Sequence, residues 1–144
     1  MGDWTVRVAL RTQHGIILVR NKDGERWHLV GGKKDPHDID WRCTAVREVL
    51  EEPGYIISRE DPRYHEFSHN KNGKRGRYSL HYCALVIPDA WLTQLNETGP
   101  DDEDIRLFPY EEVRKMKDIG AYDREYLGRR KLLRPPKGVL ERCE

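Results

Sequence analysis

The chain has 144 residues, with 26 Lys or Arg against 25 Asp or Glu and a formal net charge of +1. That balance leaves no one-signed field to draw nucleic acid or a membrane surface. Without a long apolar run or a signal-peptide core at the N-terminus, there is no sign of a membrane span or an export signal. The length suits a single domain over residues 1–144 with a real core, residues 135–144 forming a tail after Pro135-Pro136. Cys43, Cys83 and Cys143 lack metal-binding spacing, and an odd count argues against a disulfide framework, so reduced thiols in the cytoplasm are expected.

Thr5 to Arg11 alternates, with Val6, Val8 and Leu10 on one side of a strand. Ile16 to Val19 is a short branched run that suits a buried strand, between turns at 12–15 and 21–24. Trp27 to Val30 forms a short third strand, with Trp27 as a packing residue, and leads into a loop opened by Gly31-Gly32, where backbone can approach a ligand closely. Asp40 is a good N-cap for a helix over Trp41–Glu52, which Pro53 and Gly54 stop.

At about 100° per residue, Glu48, Glu51 and Glu52 share one face of that helix. Cys43, Val46 and Leu50 fall opposite, with Val49 on the border, and are expected to be the buried side. A solvated acidic face is the commoner meaning of such a cluster. Three crowded carboxylates are also what a hard divalent cation takes, Mg²⁺ using a few of them together with substrate phosphates.

Further on, Tyr55-Ile56-Ile57 begins a strand, and residues 64–68 and 77–87 pair as a long hairpin around a tip carrying Lys71, Lys74 and Arg75. Trp91–Leu95 is a short apolar patch. The acidic run Asp101-Asp102-Glu103-Asp104 precedes a late strand, Ile105–Phe108. One helix begins near Pro109 and runs to about Lys117, and a second lies within Asp118–Leu133.

The stretch from Gly32 to Tyr55 resembles the Nudix box, G-x5-E-x7-R-E-U-x-E-E-x-G-U, where U is bulky and apolar. Arg47-Glu48-Val49-Leu50-Glu51-Glu52-Pro53-Gly54 fits the second half without a gap. The first half departs: Asp38 stands where the family has Glu, one extra residue falls in the loop around Ile39, and Tyr55 replaces the final aliphatic. The resemblance implies an α/β fold, a Nudix-type α/β/α sandwich with a mixed sheet. It implies hydrolysis of the phosphoanhydride of a nucleoside diphosphate linked to another moiety, with Mg²⁺ or Mn²⁺ as cofactor.

By the same resemblance Glu51 and Glu52 bind metal, and Glu48 either binds metal or acts as base. Gly32 offers its carbonyl to the metal, and Arg47 orients a box carboxylate. A carboxylate before the late strand joins the site, Glu103 being preferred over Asp102 and Asp104. Lys33 and Lys34 are candidate phosphate contacts that equally suit a solvated loop. Asp38 is expected to stand in for the loop carboxylate, with Arg47 within reach of either Asp38 or Asp40, and Asp40→Ala to cost more stability than Asp38→Ala. A nucleotide-derived small molecule is the expected substrate. Capped or 5′-phosphorylated RNA lies within the family's range, but no residue here points to it. Two other readings stand beside an active hydrolase: a catalytically weak Nudix-fold nucleotide-binding or regulatory module, and an unrelated α/β protein with a solvated acidic helix.

Overall fold

The computed structural model describes residues 3–73 and 76–137, and of residues 65–73 and 76 the backbone alone. In chain order it contains β1 (Asp3–Arg11), β2 (Gly15–Arg20), β3 (His28–Lys33), α1 (Trp41–Glu51), β4 (Arg63–Gly73), β5 (Gly76–Val86), a 3-10 turn at Asp89–Gln94, β6 (Asp104–Pro109), α2 (Tyr110–Lys115) and α3 (Ala121–Arg129). The six strands form one sheet in the order β4-β5-β1-β3-β2-β6. β1 and β5 run parallel, while the other pairs are antiparallel, so the sheet is mixed.

Alternation along the strands divides the core in two. Val6, Val8, Leu10, Ile17 and Val19 face one side, where they pack with Ala45 and Val49 of α1 and with Ile105. Ala9, Ile16, Leu18, Leu29 and Tyr82 face the other, against Tyr110 and Val113 of α2 and Tyr126 and Leu127 of α3. Helices on both faces of a mixed sheet make the expected α/β/α sandwich. Trp27 is 3% exposed and lies within the second cluster, as a packing residue should.

Several elements differ from expectation. Tyr55–Ile57 is not a strand: the Tyr55 amide donates back to the Val49 carbonyl at the end of α1, so it is taken up by the helix terminus. The hairpin strands run on to Gly73 and Gly76, which face each other in register. The side chain of Lys71, and Lys74 and Arg75 entirely, lie outside the described residues, as do residues 138–144 of the expected tail. α3 starts only at Ala121 because the segment before it is tied to Trp27: Trp27 N donates to Asp118 O at 2.7 Å and Gly120 N to Trp27 O at 3.0 Å. Among the described residues no helix is long and apolar enough to cross a membrane.

Candidate active site

α1 begins where Asp40 was placed: its side chain accepts the Cys43 amide at 3.0 Å and its backbone is extended. The loop ahead of it carries Ile39 76% exposed, as befits an inserted residue. The buried face of the helix is not the expected one. Thr44, Ala45, Glu48 and Val49 are buried, Cys43 and Val46 are only half-buried, and Leu50 is 50% exposed. The inward side therefore carries small or β-branched residues and two glutamates, with Glu52 just past the helix end at 4% exposure. Glu51 faces outward.

The sheet makes room for those carboxylates. Gly31 and Gly32 belong to β3 rather than to a loop. A Cβ on Gly32 would stand 2.7 to 2.9 Å from the Glu48 carboxylate atoms. Gly31 has φ of 154°, and a Cβ there would meet the Val6 carbonyl oxygen at 1.8 Å. The Gly31 amide donates to Glu52 Oε1 at 3.0 Å. The glycine pair thus lets the end of α1 bring two acids down onto bare backbone.

Their charges are poorly offset there. Burial pushes the Glu52 carboxyl up to about 8; the charges of Glu48 and Glu103 add to the rise, while the Gly31 amide and Arg7 oppose it. Burial likewise raises Glu48, assisted by Glu51 and opposed by Arg47. Arg47 spreads its fork over four groups. Nη1 donates to Glu48 at 2.8 Å and Glu51 at 3.3 Å, and Nη2 to the Lys33 carbonyl and Asp38, each at 3.0 Å. Asp38 is 7% exposed and also accepts from the Thr44 hydroxyl at 2.7 Å and the Asp35 amide at 3.0 Å. Burial works against its charge, but Arg47, Asp35 and Thr44 together hold its carboxyl below the usual range. Thr44 in turn accepts from the Trp4 indole at 2.8 Å, so the loop, α1 and β1 are locked by one chain of hydrogen bonds.

Glu103 is the buried member of the acidic run, at 8% exposure, and accepts the Asp101 amide at 2.8 Å. Asp102 and Asp104 instead turn outward to Lys22 and Arg20. Glu103 borders a cleft of about 630 Å³ shared with Asn21, Lys22, Asp23 and Asp101. Lys33 is exposed, and its carbonyl is the part that contacts Arg47. Lys34 rests its ammonium 4.8 Å from the centre of the Trp4 ring. Neither lysine is brought onto the glutamates.

Sequence reasoning missed Arg7. It lies opposite Gly31 on β3 and Tyr82 on β5, and its charge is felt at both Glu48 and Glu52. Among the described residues its guanidinium has no hydrogen bond or ion pair. The signal was present, since Arg interrupts an otherwise apolar run between Val6 and Val8.

The arrangement suits a hard divalent cation in its donor set rather than as a finished cage. Among the described residues no three His, Cys, Asp or Glu side chains already converge on one point. Glu48 and Glu52 are nevertheless two buried carboxylates that raise each other's cost, set over a glycine backbone with its carbonyls. Glu51, with 45% of its side chain exposed, has the freedom to turn toward them. A site of few carboxylates, completed by water and phosphate, is what Mg²⁺ takes.

The model of the NUDIX domain matches residues 2–130. A curated Bacillus subtilis (strain 168) protein, "Putative 8-oxo-dGTP diphosphatase", is 44% identical over 48 residues, and the chain spans about a third of that relative's length, the match covering 33% of this chain and 32% of the other. Among solved structures, the MutT protein from Methanosarcina mazei Go1 superposes with a TM-score of 0.67 at 19% identity, over 89% of this chain and 91% of that one. A bifunctional NMN adenylyltransferase/ADP ribose pyrophosphatase from Francisella tularensis, complexed with AMP and a Mn ion, gives 0.69 at 18% identity, over 100% of this chain and 42% of that one. At these identities the structures speak for the fold.

Proposed function

The chain belongs to the Nudix family, and from that premise we propose that it is a pyrophosphohydrolase acting on the phosphoanhydride of a nucleoside diphosphate linked to another moiety. The observation that carries this is the placing of Glu48 and Glu52, both buried and poorly offset, against the glycine backbone of β3. Glu48, Glu51, Glu52 and the Gly32 carbonyl would hold Mg²⁺ or Mn²⁺. Such an ion screens phosphate charge, lowers the pKa of bound water and templates the leaving group.

The chain's own residues do the rest. Arg47 holds Glu48 and Glu51 in register with the loop. Arg7, which has no hydrogen bond or ion pair among the described residues, neutralises phosphate oxygen. Glu103, buried and with its charge felt at Glu52, orients the attacking water or takes its proton, a role that Glu48 can also fill. The water oxygen bonds to phosphorus as the bridging P–O bond breaks, and the leaving phosphate departs as an anion. One domain over residues 1–144, working in the reducing cytoplasm, is part of this reading. Cys43 and Cys83 are both free thiols.

One observation favours the other reading, a nucleotide-binding module with weak catalysis: Arg47 already occupies Glu48 and Glu51. A panel of nucleoside triphosphates, nucleotide sugars, dinucleoside polyphosphates and capped RNA, assayed with Mg²⁺ or Mn²⁺, separates the two. Metal-dependent release of phosphate or nucleoside monophosphate supports the hydrolase; silence across the panel with retained nucleotide binding supports the module.

A further inference from the structure

We propose that Asp123 of α3 is the positioning residue for Arg7: its carboxylate clamps the two strands that flank Arg7 and so fixes where the guanidinium stands. The inference rests on the pyrophosphohydrolase reading, in which Arg7 meets phosphate.

The clamp follows from how the chain enters α3. β1 and β3 stay paired from Thr5–Lys33 to Val8–Val30. Upstream of Val30, β3 takes the segment before α3 as a neighbour, Trp27 bonding to Asp118 and Gly120 through main-chain groups. That ladder ends where the chain turns helical at Ala121. A side chain supplies the next rung: the Leu29 amide donates to Asp123 Oδ2 at 2.8 Å. The other oxygen, Oδ1, accepts from the Tyr82 hydroxyl of β5. One carboxylate, 5% exposed, therefore ties β3 to β5 across β1.

Arg7 lies between those two strands, paired with Gly31 of β3 on one side and Tyr82 of β5 on the other. It shares a face of β1 with Ala9, which packs with Tyr82 and Leu29 in the core against α3. With no hydrogen bond or ion pair of its own among the described residues, Arg7 is placed by these neighbours. Burial raises the Tyr82 phenol; the charge of Asp123 adds to the rise and that of Arg7 opposes it, so both charges reach the same hydroxyl. Two neutral donors are a poor answer to a buried carboxylate. What the carboxylate alone provides is an acceptor oxygen for each of them at once.

The test is a double-mutant cycle of Asp123→Ala with Arg7→Gln on kcat/KM, each full-length protein assayed with Mn²⁺ well below its own Tm. Asp123→Ala should lower kcat/KM roughly tenfold or more, as a small misplacement of a site does. The double variant should lose no more than Arg7→Gln alone, because residues that act through one another are not additive. Asp123→Asn can accept the Leu29 amide and donate to the Tyr82 oxygen, so it should restore most of the loss. In the metal-free protein the Arg7 Nε–H resonance should move in Asp123→Ala and keep its wild-type position in Asp123→Asn. Should Asp123→Ala fail to fold, Tyr82→Phe, which releases β5 alone, takes its place with a smaller loss of the same pattern. Losses that multiply in the double variant, wild-type kcat/KM in the folded single variant, or Asp123→Asn as damaging as Asp123→Ala would overturn the proposal. Wild-type silence on every nucleotide overturns the hydrolase reading instead, and the Arg7 resonance then decides. Movement in Asp123→Ala, or in Tyr82→Phe in its place, supports the clamp, and an unmoved resonance overturns it too.

Discussion

Glu52 Oε1 accepts the Gly31 amide at 3.0 Å, joining the end of α1 to β3 through a carboxylate that is 4% exposed. One backbone N–H is a small return for burying a charge, and this sets the behaviour of the metal-free protein. Burial, aided by Glu48 and Glu103, holds the Glu52 carboxyl at about 8 against an ordinary 4.5. Between those values the folded state holds a proton that the unfolded chain has released. Stability of the metal-free protein should therefore fall as pH rises from about 4.5 to about 8 and then level off. The loss should be on the order of a few kcal/mol. Glu52→Gln keeps the Gly31 hydrogen bond without the charge, so its unfolding free energy should be flatter with pH and higher than wild type at pH 9. Urea unfolding in EDTA across that range measures it; a wild-type stability that rises over the interval contradicts the assignment.

Asp38 and Asp40 exchange the ranks that their sequence positions suggest. Asp40 caps α1 through one amide and pairs with the exposed Arg59, so Asp40→Ala should cost ~1 kcal/mol. Asp38 is buried between Thr44, the Asp35 amide and Arg47. Removing it leaves the Thr44 hydroxyl and the Asp35 amide without that acceptor and takes one of four partners from Arg47, which should cost ~2 kcal/mol. Denaturant unfolding of the two variants decides the order.

How far the site was legible follows from these same residues. The spacing of Glu48, Glu51 and Glu52 put them on neighbouring parts of one helix face, and Asp40 as cap was readable because capping is local chemistry. Which way the helix turned was not. Cys43, Val46 and Leu50 are apolar and share a side, yet Cys43 and Val46 are only half-buried and Leu50 is exposed, so hydrophobicity alone misjudged the inward side. What decides is close approach to the sheet, which Ala45 and Thr44 permit and which Gly31 and Gly32 extend to two carboxylates. The sandwich was legible through strand alternation and the box. Tyr55–Ile57 misled because its branched residues suit a strand, while the Tyr55 amide was already committed to Val49. Arg7 was overlooked because its significance lies in its cross-strand neighbours, Gly31 and Tyr82, which only sheet register supplies.

Arg7 should matter to turnover and little to folding, as it has no partner to lose among the described residues. Arg7→Gln should lower kcat/KM by roughly 10–100-fold, the value of one charged hydrogen bond to phosphate, with the Tm nearly unchanged. Steady-state kinetics beside a thermal melt checks both; unchanged kcat/KM would remove Arg7 from the site.

Glu103 and Asp102 are adjacent acids with opposite surroundings, the first buried and the second turned out to Lys22. Glu103→Gln retains the acceptor for the Asp101 amide but not the charge, and should lower turnover by ~10²–10⁴. Asp102→Asn should leave it within about twofold, since surface pairs contribute little. Equal rates for the two variants would deny Glu103 its part in handling water.

The most direct measurement of the central claim is product release from the nucleotide panel by wild type and Glu52→Gln, each with Mn²⁺, with Mg²⁺ and with EDTA. The account predicts wild-type turnover with either metal, none in EDTA, and little from a Glu52→Gln protein whose circular dichroism matches wild type. Near-normal turnover by that folded variant, or wild-type turnover undiminished in EDTA, would contradict it.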